Sequence, residues 1–144
     1  MPLISVTRLR VRSFLYLPEF LWDTFRSVRQ VRRSPGFLGG RLLVNPDYVF
    51  WTMTAWQDEA AMNAYRTGGA HRQAMPKLLN WCDEAAVVHW AQDSPEIPEW
   101  QQAQQHMSER GRLSKVNHPS AVQASQKIPA PQLSRMAQTL KPAR

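Results

Sequence analysis

Cysteine is almost absent: Cys82 stands alone in a chain of 144 residues. No intramolecular disulfide can form, so packing must hold the fold, as suits a reducing compartment. Also missing is any apolar run near the roughly 20 residues that a membrane-spanning helix needs. The opening stretch, MPLISVTRLRVRSFLYL, is broken by Arg8, Arg10 and Arg12 and has no small-residue cleavage site, so a cytoplasmic location is expected. The sequence has no phosphate loop, dinucleotide fingerprint or Ser-His-Asp elbow. The four histidines, His71, His89, His106 and His118, lack the short spacing of zinc ligands, so no metal site is expected.

What is present suffices for a core, with 43% apolar and 10% aromatic residues against 20% charged. The length suits one domain plus a tail. The formal net charge of +7 is segregated along the chain. Residues 1–44 hold eight Arg against Glu19 and Asp23; residues 45–100 hold three basic and eight acidic groups; residues 101–144 hold seven basic groups against Glu109. Basic ends can meet the acidic middle of the same chain or of a second subunit. That pairing needs no polyanion and argues against a nucleic-acid partner.

Loose alternation from Leu3 to Phe14 predicts a first strand. Pro18 suits a first helical position, and the helix should run to about Arg33. Leu17, Leu21, Phe25, Val28 and Val31 would form its apolar stripe, with Trp22, Arg26, Arg29 and Arg33 on the other side. Ser34-Pro35-Gly36 stops it. Phe37–Val44 and Tyr48–Trp56, joined by Asn45-Pro46-Asp47, read as a hairpin. Val49, Trp51, Met53 and Ala55 should face one way and Phe50, Thr52, Thr54 and Trp56 the other. Two bulky faces imply two covers: helices on one side and another subunit on the other. A short helix capped by Asp58, a second helix from about Ala70 with an interruption at Pro76, and a buried strand over Ala85–Ala91 complete the set. This strand and helix order predicts an α+β, ferredoxin-like, four-stranded antiparallel sheet with helices on one face. It would occupy residues 1–92, followed by a C-terminal helix (Pro98–Arg110) and strap over 93–120, packed on the domain or the partner subunit, and a disordered basic tail over 121–144.

Two stretches, FWTMTAWQDEAAMNAYR (Phe50–Arg66) and GAHRQAMPKLLNWCDEAAVVHW (Gly69–Trp90), resemble the uncharacterised DUF3291 family of the dimeric α/β-barrel superfamily. GRLSKVNHPS (Gly111–Ser120) is similar to that family's C-terminal extension. The resemblance implies a homodimer of facing ferredoxin-like sheets. It also brings antibiotic-biosynthesis monooxygenases, spheroidene-monooxygenase-like proteins and haem-degrading oxygenases into comparison. The reading is a monooxygenase-like protein that binds an apolar organic substrate or haem between sheet and helices; the alternative is a non-catalytic dimeric binding or scaffold module.

The candidate residues are few. His71, at the start of the second helical region beside Arg72, resembles the proximal histidine of the haem-degrading relatives, with Trp51 or Trp56 shaping the pocket; those relatives also have a first-strand asparagine, which Leu3–Phe14 lacks. The plainer role for His71 is a hydrogen bond to a nearby carboxylate or carbonyl. His89, on the last strand, could face the cavity. In an oxygenase without metal or flavin, the substrate supplies the electrons and the protein a dry pocket and a general base, which would be His71 or His89. Cys82 reads as a buried, inert thiol, and Asp83 and Glu84, rather than a paired acid/base site, as solvated or paired with an arginine.

Overall fold

The computed structural model describes residues 1–132 and 137–143. Its centre is β1 (Leu3–Val11), antiparallel to both β3 (Val49–Trp56) and β4 (Cys82–Ala91). With β2 (Phe37–Asn45), β5 (Arg112–Leu113) and β6 (Gln138–Leu140), the strands run in the order β5-β4-β1-β3-β2-β6. The inner four have the ferredoxin-like arrangement, which is the expected α+β class.

Alternation of side chains sorts the sheet residues into two faces. On one side lie α1 (Leu17–Arg32), α2 (Glu59–Arg66) and α3 (Gly69–Trp81). Phe20 of α1 packs against Phe50 with ring centroids 4.7 Å apart, while Val31 and Met62 close around Trp56 and Phe37. Pro76 sits inside α3 without ending it, so of the kink or fresh start expected there, the fresh start does not occur. The stripe of α1 is rotated from the expected one: Leu21 and Phe25 are 46% and 52% exposed, and Phe20 and Asp23 turn inward instead. The reason is α3, which lies alongside α1 and draws Asp23 towards Lys77 through an ion pair of 3.1 Å.

The second face differs from expectation more strongly. Ile4, Val6, Trp51, Met53, Val88 and Trp90 are covered by α4 (Trp100–Arg110) of the same chain, which inserts Trp100, Ala103 and Met107 among them. Trp51 meets Trp100 edge-on at 6.2 Å, and His106 stacks on Trp90 at 3.8 Å. The bulky second face, taken from the sequence as the seat of a second subunit, therefore has an intramolecular cover. A capping box at Glu99 and Gln102 starts this helix.

The chain then turns along the sheet edge, where β5 pairs with β4 and Ser120 N donates to Asp83 O at 3.0 Å. Within the expected tail, the described residues include two short elements. α5 (Ala121–Ala124) follows Ser120, and β6 adds to the edge of β2 at Gly40–Leu42. Edge pairing uses backbone groups and needs little apolar side-chain area, so sparse hydrophobicity did not betray it. Residues 133–136 and 144 lie outside the described residues.

Candidate functional site

The strand registers place a polar row on the helix-facing side of the sheet. Ser5 of β1 lies between His89 of β4 and Thr54 of β3; one step on, Thr7 lies between Val87 and Thr52. All of these residues are half-buried. Thr54 Oγ1 accepts a hydrogen bond of 2.9 Å from the Trp56 indole. Ser5, Thr7, Thr52 and His89 make no side-chain hydrogen bond to another described residue. Buried side-chain atoms without partners among the described residues belong to Arg8, Arg41, Trp51, Asp83 and His106, none of them in this row. The hydroxyls and the imidazole therefore meet open space between sheet and helices. Sealing such groups against apolar helices would cost about 1–3 kcal/mol each, so this floor suits water or a ligand.

His89 is held towards its neutral form. Burial is the main cause, reinforced by repulsion from Arg66 and Arg112 and opposed by Glu59. A neutral imidazole with both nitrogens free of protein partners can accept a proton from a bound molecule.

At one end of the row stands an aromatic wall. Trp56 packs on Tyr65 at 5.3 Å, and Tyr65 on His71 at 4.6 Å. Gln30 fixes the turn between α2 and α3: its side-chain amide donates to Tyr65 O and Gly68 O, and its oxygen accepts from the His71 backbone N–H at 2.8 Å. Gly69 in this turn has φ of 54°, and a Cβ there would come within 3.2 Å of the Gln30 amide. His71 Nδ1 lies 3.3 Å from Arg66 O, the carbonyl partner that the plainer reading proposed. Burial also lowers the His71 pKa, and it raises that of Tyr65.

The predicted residues thus divide into two sets. His71 and Trp56 join one aromatic wall, and His89 shares their side of the sheet. Trp51 does not: five residues separate it from Trp56, an odd number, so it lies under α4 on the opposite face. Arg72 is exposed. The pocket expected from His71 and Trp51 together is split by the sheet, and His71 has one face against Tyr65 and one nitrogen against a carbonyl. The carbonyl at Nδ1 leaves Nε2 as the His71 nitrogen open to a ligand, while Trp51, offered as a wall of the haem pocket, is on the other face. The Cys82 thiol is pushed up to about 12 by burial and by Asp83, which keeps it a poor nucleophile.

Sequence reasoning missed the hydroxyl row and Gln30. The row was legible as Ser5-x-Thr7 and Thr52-x-Thr54, two polar alternations whose meaning needed the pairing of β1 with β3.

A family model described as antibiotic biosynthesis monooxygenase matches residues 18–77, a stretch containing α1, β2, β3, α2 and most of α3. Among solved structures, the cofactor-independent oxygenase SnoaB from Streptomyces nogalater superposes with a TM-score of 0.54 at 19% identity, covering 68% of this chain and 98% of its own. A protein from Nitrosomonas europaea, proposed as an antibiotic biosynthesis monooxygenase, gives 0.58 at 15% identity, covering 65% and 92%. A conserved protein from Methanosarcina mazei gives 0.56 at 12%, covering 65% and 94%. At these identities the likeness is one of fold. No curated protein matches the chain in sequence. About a third of the chain has no counterpart in the three structures, although they are matched almost to their full length.

Proposed function

We propose that the chain is a monooxygenase-type enzyme that holds an apolar polycyclic molecule between the helix-facing side of the sheet and α1–α3. The observation that carries this reading is the half-buried hydroxyl row, with Ser5, Thr7 and Thr52 making no side-chain hydrogen bond to a described residue, beside neutral His89 and walled by Trp56 and Tyr65. The match over residues 18–77 and the fold shared with a cofactor-independent oxygenase support it. So does the DUF3291 resemblance, whose two stretches include β3, α3 and His89.

The chemistry uses the substrate's own electrons. His89 takes a proton from a methylene carbon activated by a neighbouring carbonyl, and the hydroxyl row stabilises the resulting enolate oxygen. The carbanion passes electrons to dioxygen and forms a carbon–oxygen bond. The hydroperoxide, protonated by His89, then loses water and leaves a new carbonyl. In sum, a CH2 group and O2 become C=O and H2O, so no other reductant is required.

Anthrone, a tricyclic ketone with one such methylene, serves as a probe. Protein-dependent oxygen uptake above the buffer rate is expected, with His89→Ala lowering kcat about 100-fold, the lower end of general-base effects. Uptake that is no faster than buffer, or unchanged in His89→Ala, sinks the reading. Saturable anthrone binding without uptake supports a non-catalytic binding module instead.

A further inference from the structure

On the opposite side of the sheet, a separate cavity of about 400 Å³ opens beneath the C-terminal segment. Its floor is polar: Arg8 and Arg10 of β1 and Glu84 of β4. Val49, Val122 and Pro129 give it an apolar flank. Asn45 holds the rim in place, donating to Gln132 O at 2.6 Å and accepting from Gln132 N at 2.9 Å.

The hydrogen-bond inventory of the floor is uneven. Arg8 Nη1 donates to Glu84 Oε1 at 2.6 Å, and Ser120 Oγ donates to Glu84 Oε2 at 2.9 Å. Arg10 donates through Nε to Asp47 O at 3.2 Å and through Nη1 to Asp83 Oδ2 at 2.6 Å. Both oxygens of Glu84 are thus engaged. The Nη2 groups of Arg8 and Arg10 donate to no described residue, and neither is among the atoms sealed from solvent. Arg8 is 6% exposed and lines the cavity. A β-bulge at Arg10/Val11 permits this arrangement, bringing two adjacent carboxylates to the arginines. Asp83 Oδ2 lies 2.6 Å and Glu84 Oε2 4.0 Å from Arg10 Nη1.

We propose that this cavity binds a small organic carboxylate, its head on the Nη2 groups of Arg8 and Arg10 and its apolar body against Val49, Val122 and Pro129. Two guanidinium donors side by side on one strand face match two carboxylate oxygens, and charge assistance strengthens such bonds. Glu84 has both oxygens engaged by Arg8 and Ser120, and Asp83 holds Arg10 through Nη1; the Asp47 carboxylate also lines the cavity, so the Nη2 groups are where a ligand's carboxylate would sit. The site is distinct from the hydroxyl row and is built partly from the segment that follows α4.

Phenylacetate and its neutral isostere phenylacetamide are the probes, followed by calorimetry and by protein NMR on the full chain. Phenylacetate should bind one to one and at least 10-fold more tightly than the amide, shifting the Arg8 and Arg10 side-chain signals. Arg10→Gln, at a partly exposed side chain, should weaken it at least 10-fold. Ala121→Trp, which fills the cavity from an exposed lining position, should do the same while the protein stays folded. Absence of saturable phenylacetate binding, equal affinity for the amide, or affinity unchanged by both variants overturns the proposal.

Discussion

Removing the Trp100 side chain should be among the costliest single changes outside the hydroxyl row. Trp100 is 5% exposed, anchors the first turn of α4 and meets Trp51 edge-on at 6.2 Å. Truncating a buried tryptophan to alanine costs about 3–5 kcal/mol, of which the aromatic pair supplies about 0.5–1.5 kcal/mol beyond its buried area. At this chain length the loss corresponds to a fall in Tm of roughly 6–20 °C. Urea denaturation of Trp100→Ala beside the exposed-site control Gln104→Ala measures it, and a cycle with Trp51→Phe isolates the pair. The variant should also bind an apolar dye, because loosening α4 uncovers Ile4, Val6 and Met53. If Trp100→Ala matches Gln104→Ala within 0.5 kcal/mol, α4 does not cover the sheet and the account of the second face fails.

Phe20→Ala should cost about 3–5 kcal/mol, whereas Leu21→Ala and Phe25→Ala should each stay within about 1 kcal/mol; denaturant midpoints of the three variants check the rotation of α1. Glu84→Gln should destabilise by about 3–5 kcal/mol, because it leaves the Arg8 guanidinium buried without its counter-charge, and chemical denaturation again reads it. For His89 the folded pKa lies below the unfolded 6.5, so the unfolded chain binds more protons. Stability should therefore be unaffected by this group above that value and fall as pH drops through it, and His89→Phe should flatten that part of the stability–pH curve.

The fold was readable because its signals were local. Pro18, Ser34-Pro35-Gly36 and Asp58 punctuate the helices, and the aromatic run Tyr48–Trp56 marks the central hairpin. What escaped depended on long-range placement. Which side of α1 faces the sheet was decided by α3 and the Asp23–Lys77 pair, not by helical periodicity. The sequence left the second face to another subunit or to a C-terminal helix over Pro98–Arg110 packed on the domain or its partner, and Trp100, Ala103 and Met107 are too sparse to decide between them. The site was half legible: His71, His89 and Trp56 fall on one side as their sequence positions allow, and of the two tryptophans offered for the pocket, Trp51 or Trp56, the alternation of strand residues leaves only Trp56 there. Asp83 and Glu84 were left between solvation and pairing with an arginine, because the bulge that brings neighbouring carboxylates to the arginines left no mark in the sequence.

The central claim is that substrate occupies the space above the hydroxyl row. An NMR titration of isotope-labelled protein with anthrone under anaerobic conditions tests it most directly. The account predicts saturable shifts centred on Ser5, Thr7, Thr52, Thr54 and the His89 ring, with Trp51 and Trp100 on the other face unmoved. Shifts centred on α4 and its contacts, or none at saturation, would contradict it.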